Sequence, residues 1–385
     1  MQKPIYLDYN STSPTDPRVV ESMLPYLTEN FGNPANSLHS YGWAAANAVT
    51  KASQEVAALI HCRAAEIVWN AGATEGNNSV IFGLIRRLKL ENKSEPIHLI
   101  TSNAEHWSVL NSFSAAKKYE GVEITFIPVN STGIVTLEEL KKHIRPGSTK
   151  LISLMWVNNE IGAINPIQDV AEYCQKNKIY FHTDATQAVG KIEVNLEKTP
   201  VHFLTFSAHK LYGPKGVGVL FIRSVDPDIE IEPYLFGGGQ QHNRRSGTLN
   251  VPSIVGTGKA CELCRVEMHA DSKRTVQLIE NFWIELKQSL PNVKLNGPEL
   301  KDRSPVNLSL QMPQMIDLVL PALSHIAFSQ GSACQSDESS SSHVLEALGL
   351  TPVQAQCTMR LSIGRFTTEK DLNEALQIIL KAFKA

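Results

Sequence analysis

Leu151-Ile152-Ser153-Leu154-Met155-Trp156-Val157 is an apolar run interrupted only by Ser153, and Ile179-Tyr180-Phe181-His182-Thr183 follows it after a helical pattern over residues 167–175. Strand, helix, strand with both strands mainly apolar is the unit of a parallel sheet covered on two faces. The same texture continues outward. Residues 67–69, 97–101 and 124–129 are strand candidates upstream, and 203–206 and 218–222 are candidates downstream. Helical patterns at 75–89 and 137–143 lie between some of them. The expected fold class is α/β, a mostly parallel sheet with flanking helices.

After Pro252 the pattern changes. Two long helical stretches, about 253–270 and 273–290, lead into strand candidates at 306–310 and 359–363. A helix candidate at 314–323 lies between those strands, and an amphipathic helix at 368–383 ends the chain. This reads as a smaller α+β unit. The expected division is 16–255 for the large unit, with 1–15 and 256–385 forming the small one. The N-terminal arm would pack on the small unit.

Composition narrows the classes of function. The 385 residues carry 36 Lys+Arg and 38 Asp+Glu, a formal charge of −2. That balance gives no bulk electrostatic attraction to nucleic acid or an anionic membrane. Hydrophobic residues at 42% and charged residues at 19% are globular proportions rather than those of a disordered chain. No apolar stretch approaches the roughly 20 residues of a membrane helix, and residues 1–10 show no secretory pattern. Six cysteines in a chain this long do not form a disulfide scaffold. A soluble, cytoplasmic protein is expected.

Chemistry concentrates in three places. Ser207-Ala208-His209-Lys210-Leu211-Tyr212-Gly213-Pro214 follows an apolar strand; alone, Lys210 reads as a loop lysine. His182-Thr183-Asp184-Ala185-Thr186-Gln187 puts a carboxylate at the end of a buried strand, where α/β sheets bind ligands; alone, Asp184 reads as a helix cap. Asn70-Ala71-Gly72-Ala73-Thr74-Glu75-Gly76 is a small-residue turn opening a helix, whose free N–H groups suit a phosphate. Together they match the needs of pyridoxal 5'-phosphate: an amine, a carboxylate for the pyridine nitrogen and a phosphate cradle. His106 is a candidate for stacking on the cofactor ring.

At this point the chain resembles the cysteine desulfurases, class V pyridoxal-phosphate enzymes of fold type I. The resemblance runs from Tyr6-Leu7-Asp8-Tyr9-Asn10 almost to the C-terminus. It includes Gly32-Asn33-Pro34, Val157-Asn158-Asn159-Glu160-Ile161-Gly162 and Gly237-Gly238-Gly239. It continues through Arg245-Ser246-Gly247-Thr248, Gly331-Ser332-Ala333-Cys334 and Arg360-Leu361-Ser362-Ile363-Gly364-Arg365. It implies a seven-stranded type of sheet and a homodimer.

The resemblance also implies roles. Lys210 is the Schiff-base lysine and moves the proton at the substrate Cα. Asp184 pairs with the ring nitrogen, Gln187 with the ring oxygen, and His106 stacks on the ring and serves the chemistry. Ala73, Thr74, Ser207 and His209 hold the phosphate, and Thr248 reaches the phosphate of the other subunit. Asn159 orients ring and substrate, and Arg360 binds the carboxylate of L-cysteine through its guanidinium fork. Cys334, among small polar neighbours, is the nucleophile that takes sulfur as a persulfide and passes it to an acceptor protein. The products would be L-alanine and sulfur destined for iron–sulfur clusters, tRNA or DNA thio-modification, or cofactor synthesis.

Cys62, Cys174, Cys261, Cys264 and Cys357 read as core residues, and the C-x-x-C pair at 261 and 264 has no further ligands to make a metal site. Three features depart from the family's usual pattern. Ala208 stands where Gly is common, 339–342 is Ser-Ser-Ser-Ser in place of a Leu-Glu-Pro-Ser stretch, and the chain stops at Ala385 where housekeeping relatives carry a scaffold-docking tail. A selenocysteine lyase, another C–S lyase or an aminotransferase of the same superfamily is the alternative reading.

Overall fold

The computed structural model describes residues 3–91, 96–224, 229–331 and 342–384. After the short strand β1 (Ile5–Tyr6), seven strands build the main sheet: β2 (Ile67–Asn70), β3 (His98–Ser102), β4 (Glu123–Ile127), β5 (Thr149–Ser153), β6 (Tyr180–Asp184), β7 (Phe203–Ser207) and β8 (Gly218–Ile222). Their order is β2-β8-β7-β6-β5-β3-β4. All neighbouring pairs are parallel except those of β8, which runs against β7 and β2. The expected α/β class and mostly parallel sheet are therefore found.

Except for the edge strand β4, the strands are buried and mainly apolar because both faces are covered. On one side Leu99, Leu151, Phe203 and Leu220 pack under Val80, Ile81, Leu84 and Ile85 of the helix Ala73–Glu91. On the other, Ile100, Ile152, Phe181 and Leu204 meet Val170 and Cys174 of the helix Ile167–Lys176. The helix Ser40–Ile60 adds a mainly alanine stripe, Ala45, Ala48 and Ala52, to the surrounding packing.

A second core lies around β9 (Lys294–Leu295), β10 (Asn307–Gln311) and β12 (Thr358–Ser362), an antiparallel sheet in the order β12-β10-β9. Leu308, Leu310, Met359 and Leu361 pack there against Leu372, Leu376 and Ile379 of the helix Glu369–Lys384. The N-terminal arm joins it: β1 pairs with β11 (Ile326–Ala327), and Leu7 is fully buried in the same core.

Two expectations differ from the structure. The paired helical patterns at 253–270 and 273–290 are one helix, Val251–Ser289, of 39 residues. The polar step Asp271-Ser272-Lys273 is not a break: Asp271 accepts from Arg365 Nε at 2.9 Å, Ser272 Oγ donates to the Lys191 carbonyl at 2.7 Å, and buried residues resume at Thr275 and Ile279. The expected boundary near 255 thus falls inside a helix. The candidate at 314–323 divides into a short α-helix, Ile316–Val319, and a 3₁₀ turn, Leu320–Leu323. Pro321 lacks the N–H that would continue the α-helical ladder.

Candidate active site

Loops from the carboxyl ends of β2, β3, β5, β6 and β7 close around one cavity of about 160 Å³, where a parallel sheet presents its ligand site. Ala73 and Thr74 enter from the turn after β2, His106 from the loop after β3, and Asn159 from the segment after β5. Asp184 and Gln187 come from β6 and its turn, and Ser207, His209 and Lys210 from β7 and the turn after it. Arg360 arrives from β12.

The β2 turn works because Gly72 adopts φ of 143°, a conformation open to glycine, with Ser207 Oγ only 3.3 Å from where a Cβ would stand. The helix Ala73–Glu91 starts immediately after it, and its first amide, that of Ala73, donates to Ser207 Oγ at 2.8 Å. A helix N-terminus with hydroxyl neighbours is an anion cradle. His209 sits beside it with Nδ1 at 3.0 Å from Thr12 Oγ1. Burial, then Lys210 and Lys215, hold the His209 ring down at about 4, so it is neutral at pH 7.

Lys210 Nζ donates to the carbonyl of Asn10 at 2.8 Å and to that of Ser11. Asp184, only 5% exposed, accepts from Asn77 Nδ2 and from the Thr186 amide, both at 3.0 Å. The Asn77 amide also donates to Ser108 Oγ at 2.8 Å, and Ser108 Oγ lies 2.8 Å from His106 Nδ1. His106 Nδ1 further accepts the Ser108 amide at 3.1 Å, capping the helix Trp107–Ala115. An Nδ1 that accepts leaves the proton on Nε2, and burial pushes the ring's pKa down. Asp184 and His106 are thus held on one network.

Arg360 donates through Nη2 to Asp8 Oδ1 at 2.8 Å and through Nη1 to the Asn159 carbonyl at 3.4 Å. Its Nε is buried without a partner among the described residues, as are Asn10 Oδ1 and Thr186 Oγ1, also on cavity-lining residues. Buried polar groups are nearly always satisfied, so orphans around a cavity mark groups waiting for a polar ligand. An amine, a carboxylate, an anion cradle and a guanidinium around one space fit pyridoxal phosphate together with an amino acid.

Two expected site residues stand apart. Thr248 does not line this cavity; it lines a separate recess with Trp69, Asn70 and Arg245. Cys334 lies outside the described residues. Cys261 and Cys264 are fully buried within the helix Val251–Ser289. The sequence reading missed Asn77, which carries Asp184, and Asp8, which carries Arg360. Asp8 stands in a motif already noted, whereas Asn77 carries no local signal.

This is the architecture and site of a class V aminotransferase-type enzyme, and the chain belongs to the aminotransferase class-V family, whose profile matches residues 5–374. Among its relatives, the cysteine desulfurase of Rattus norvegicus is 42% identical over 97% of this chain and 82% of its own length. A solved NifS-like protein superposes with a TM-score of 0.89 at 33% identity, covering 99% of both chains. A structure described as SspA in complex with cysteine matches with a TM-score of 0.82 at 32% identity, over 94% of this chain and 99% of that one.

Proposed function

We propose that this enzyme is a pyridoxal-phosphate-dependent cysteine desulfurase, converting L-cysteine to L-alanine and passing the sulfur through a Cys334 persulfide to an acceptor protein. The observation that carries the reading is the convergence of Lys210, Asp184 and Arg360 on one cavity. The family match and the cysteine desulfurase relatives support it.

Bound pyridoxal phosphate supplies an electron sink conjugated to the substrate Cα. The chain does the rest. The Ala73–Thr74 turn with Ser207 and His209 would hold the phosphate, and Asp184 would keep the ring nitrogen protonated. Gln187 would donate to the ring oxygen, and His106 would serve the ring. Arg360 binds the substrate carboxylate, with Asn159 fixing its orientation, and Lys210 takes the Cα proton. The Cys334 thiolate would then attack the substrate sulfur: an S–S bond forms as the C–S bond breaks, and the electron pair of that bond stays with the carbon skeleton. A proton taken up at Cβ, together with the Cα proton returned by Lys210, lets the skeleton leave as alanine.

In this reading residues 16–255 carry the cofactor, while 1–15 and 256–385 bring Arg360 and Cys334 to it. A homodimer is favoured by Thr248, which lies outside its own chain's cavity, and by the exposed apolar side chains of Leu24, Leu27, Phe31, Leu38 and Trp43. The five described cysteines are all free thiols, in keeping with the reducing cytoplasm. Among the described residues no helix is long and apolar enough to cross a membrane. With a net charge of −2, any role in nucleic-acid modification would pass through a protein acceptor.

The test is cysteine turnover with a thiol reductant, quantifying alanine and sulfide on wild type and Cys334→Ser. Equal alanine and sulfide from wild type, with both lost in the variant while the cofactor's visible band persists, is the expected result. Full sulfide release by Cys334→Ser would refute the persulfide route, and keto-acid product would make the enzyme an aminotransferase.

A further inference from the structure

Lys191 is a buried lysine that the proposed chemistry does not use. It follows the Asp184–Gln187 turn, and only 7% of it is exposed. Its Nζ donates to Gln187 Oε1. The other end of the same amide, Gln187 Nε2, donates to the Asn10 carbonyl at 2.9 Å. That carbonyl also accepts from Lys210 Nζ at 2.8 Å. Two lysines are thus joined through one side-chain amide and one backbone carbonyl.

An amide in isolation can present either its oxygen or its NH2 to a ligand. Here both ends are committed. The amine of Lys191 can only donate while it is charged, so the atom facing it is the oxygen. The carbonyl of Asn10 can only accept, so the atom facing it is the nitrogen. Gln187 has one remaining N–H, and Gln187 lines the cavity.

We propose that Lys191 is a positioning residue for the cofactor: by holding Gln187 Oε1 it fixes the amide so that an N–H, not an oxygen, faces the ring oxygen of pyridoxal phosphate. The inference rests on the cofactor reading above. It concerns a residue that touches neither substrate nor cofactor and acts through Gln187.

The charged groups around Lys191 set when the tie holds. Burial pulls its amine down to about 7, and Lys210 and Arg360 push the same way, while Cys264, from the helix Val251–Ser289, pulls it up. A hydrogen-bond donor at the ring oxygen stabilises the deprotonated form of the lysine–cofactor bond. Loosening that donor therefore raises the pH at which the bond loses its proton.

The test is the pH titration of the visible absorbance of the cofactor-loaded enzyme, without substrate, for wild type, Lys191→Met, Gln187→Ala and the double variant. The expected result is a midpoint raised by at least half a pH unit in Lys191→Met, and a further shift of less than half that size when Lys191→Met is added to Gln187→Ala. An unchanged midpoint in Lys191→Met, or the same shift with Gln187 absent, would overturn the proposal. If Lys191→Met does not load, Lys191→Gln is titrated in its place against the same criteria. A wild type that forms no band at all would sink the cofactor reading instead, which keeps the two failures apart.

Discussion

Asp8 and Arg360, 352 positions apart, form an ion pair of 2.8 Å between the N-terminal arm and β12. The guanidinium side chain is 2% exposed and the carboxylate 14%. The pair therefore fixes the guanidinium fork that is proposed to hold the substrate carboxylate. Asp8→Ala leaves a buried cation without its partner, and breaking such a pair costs about 3 kcal/mol or more. Urea unfolding of the variant should show that loss, and cysteine kcat/KM should fall at least about tenfold, mainly through KM. A wild-type KM would show that Asp8 does not position Arg360.

Asn77 donates to Asp184 at 3.0 Å and to Ser108 at 2.8 Å. Hydrogen bonds to a charged group are worth about 1.5–3 kcal/mol, or roughly 10–100-fold in rate. Asn77→Ala should lower kcat by an amount in that range while cofactor still binds, read by steady-state kinetics beside the visible spectrum. An unchanged kcat would show that Asp184 needs no such support.

Glu105 is fully buried next to His106, accepting from Ser102 Oγ at 2.8 Å and the Met155 amide at 3.0 Å, and its Oε2 has no partner among the described residues. Burial lifts its carboxyl from 4.5 to about 8, with Asp184 adding to the rise. The folded state therefore holds this proton where the unfolded state has lost it. Its contribution to stability is full below pH 4.5 and is lost progressively as pH rises through about 8. The stability of Glu105→Gln relative to wild type should therefore climb between those limits, as followed by urea unfolding of the cofactor-free protein. A difference independent of pH would mean that Glu105 is not held protonated.

His182 behaves in the opposite sense. Its ring is buried, with Nδ1 at 2.8 Å from Ser153 Oγ, and burial lowers its pKa from 6.5 to about 4. The unfolded chain binds this proton first, so stability is present above pH 6.5 and is lost as pH falls toward 4. His182→Gln should flatten that acid limb relative to wild type. Parallel unfolding curves down to pH 4 would contradict it.

The main sheet was legible because its strands other than the edge strand β4 are buried on both faces and read as mainly apolar runs, as in residues 203–207 and 218–222. The helix Ser40–Ile60 was not, since much of its buried stripe is alanine, which contrasts weakly with its neighbours. Asp271-Ser272-Lys273 read as a helix end because local polarity cannot report that the flanking turns are buried. Many of the residues that line the cavity, Lys210, Asp184 and Arg360 among them, were visible through their motifs. Their supports were not: Asp8 under Arg360, Asn77 under Asp184 and Lys191 behind Gln187 are spacings that only the folded chain creates. Cys334 lies outside the described residues and rests on its motif.

The helix Val251–Ser289, 39 residues and about 58 Å long at 1.5 Å per residue, is a member of both hydrophobic cores. Cys261 and Cys264 anchor one end in the first core, while Phe282 and Leu286 anchor the other in the second. It acts as a shared beam. Melting either core would strip the beam of half its lateral support, and a helix with half its packing gone is marginal in water. The two cores are thereby coupled on heating, because the core around β10 and β12 and the core under the main sheet lean on the same helix.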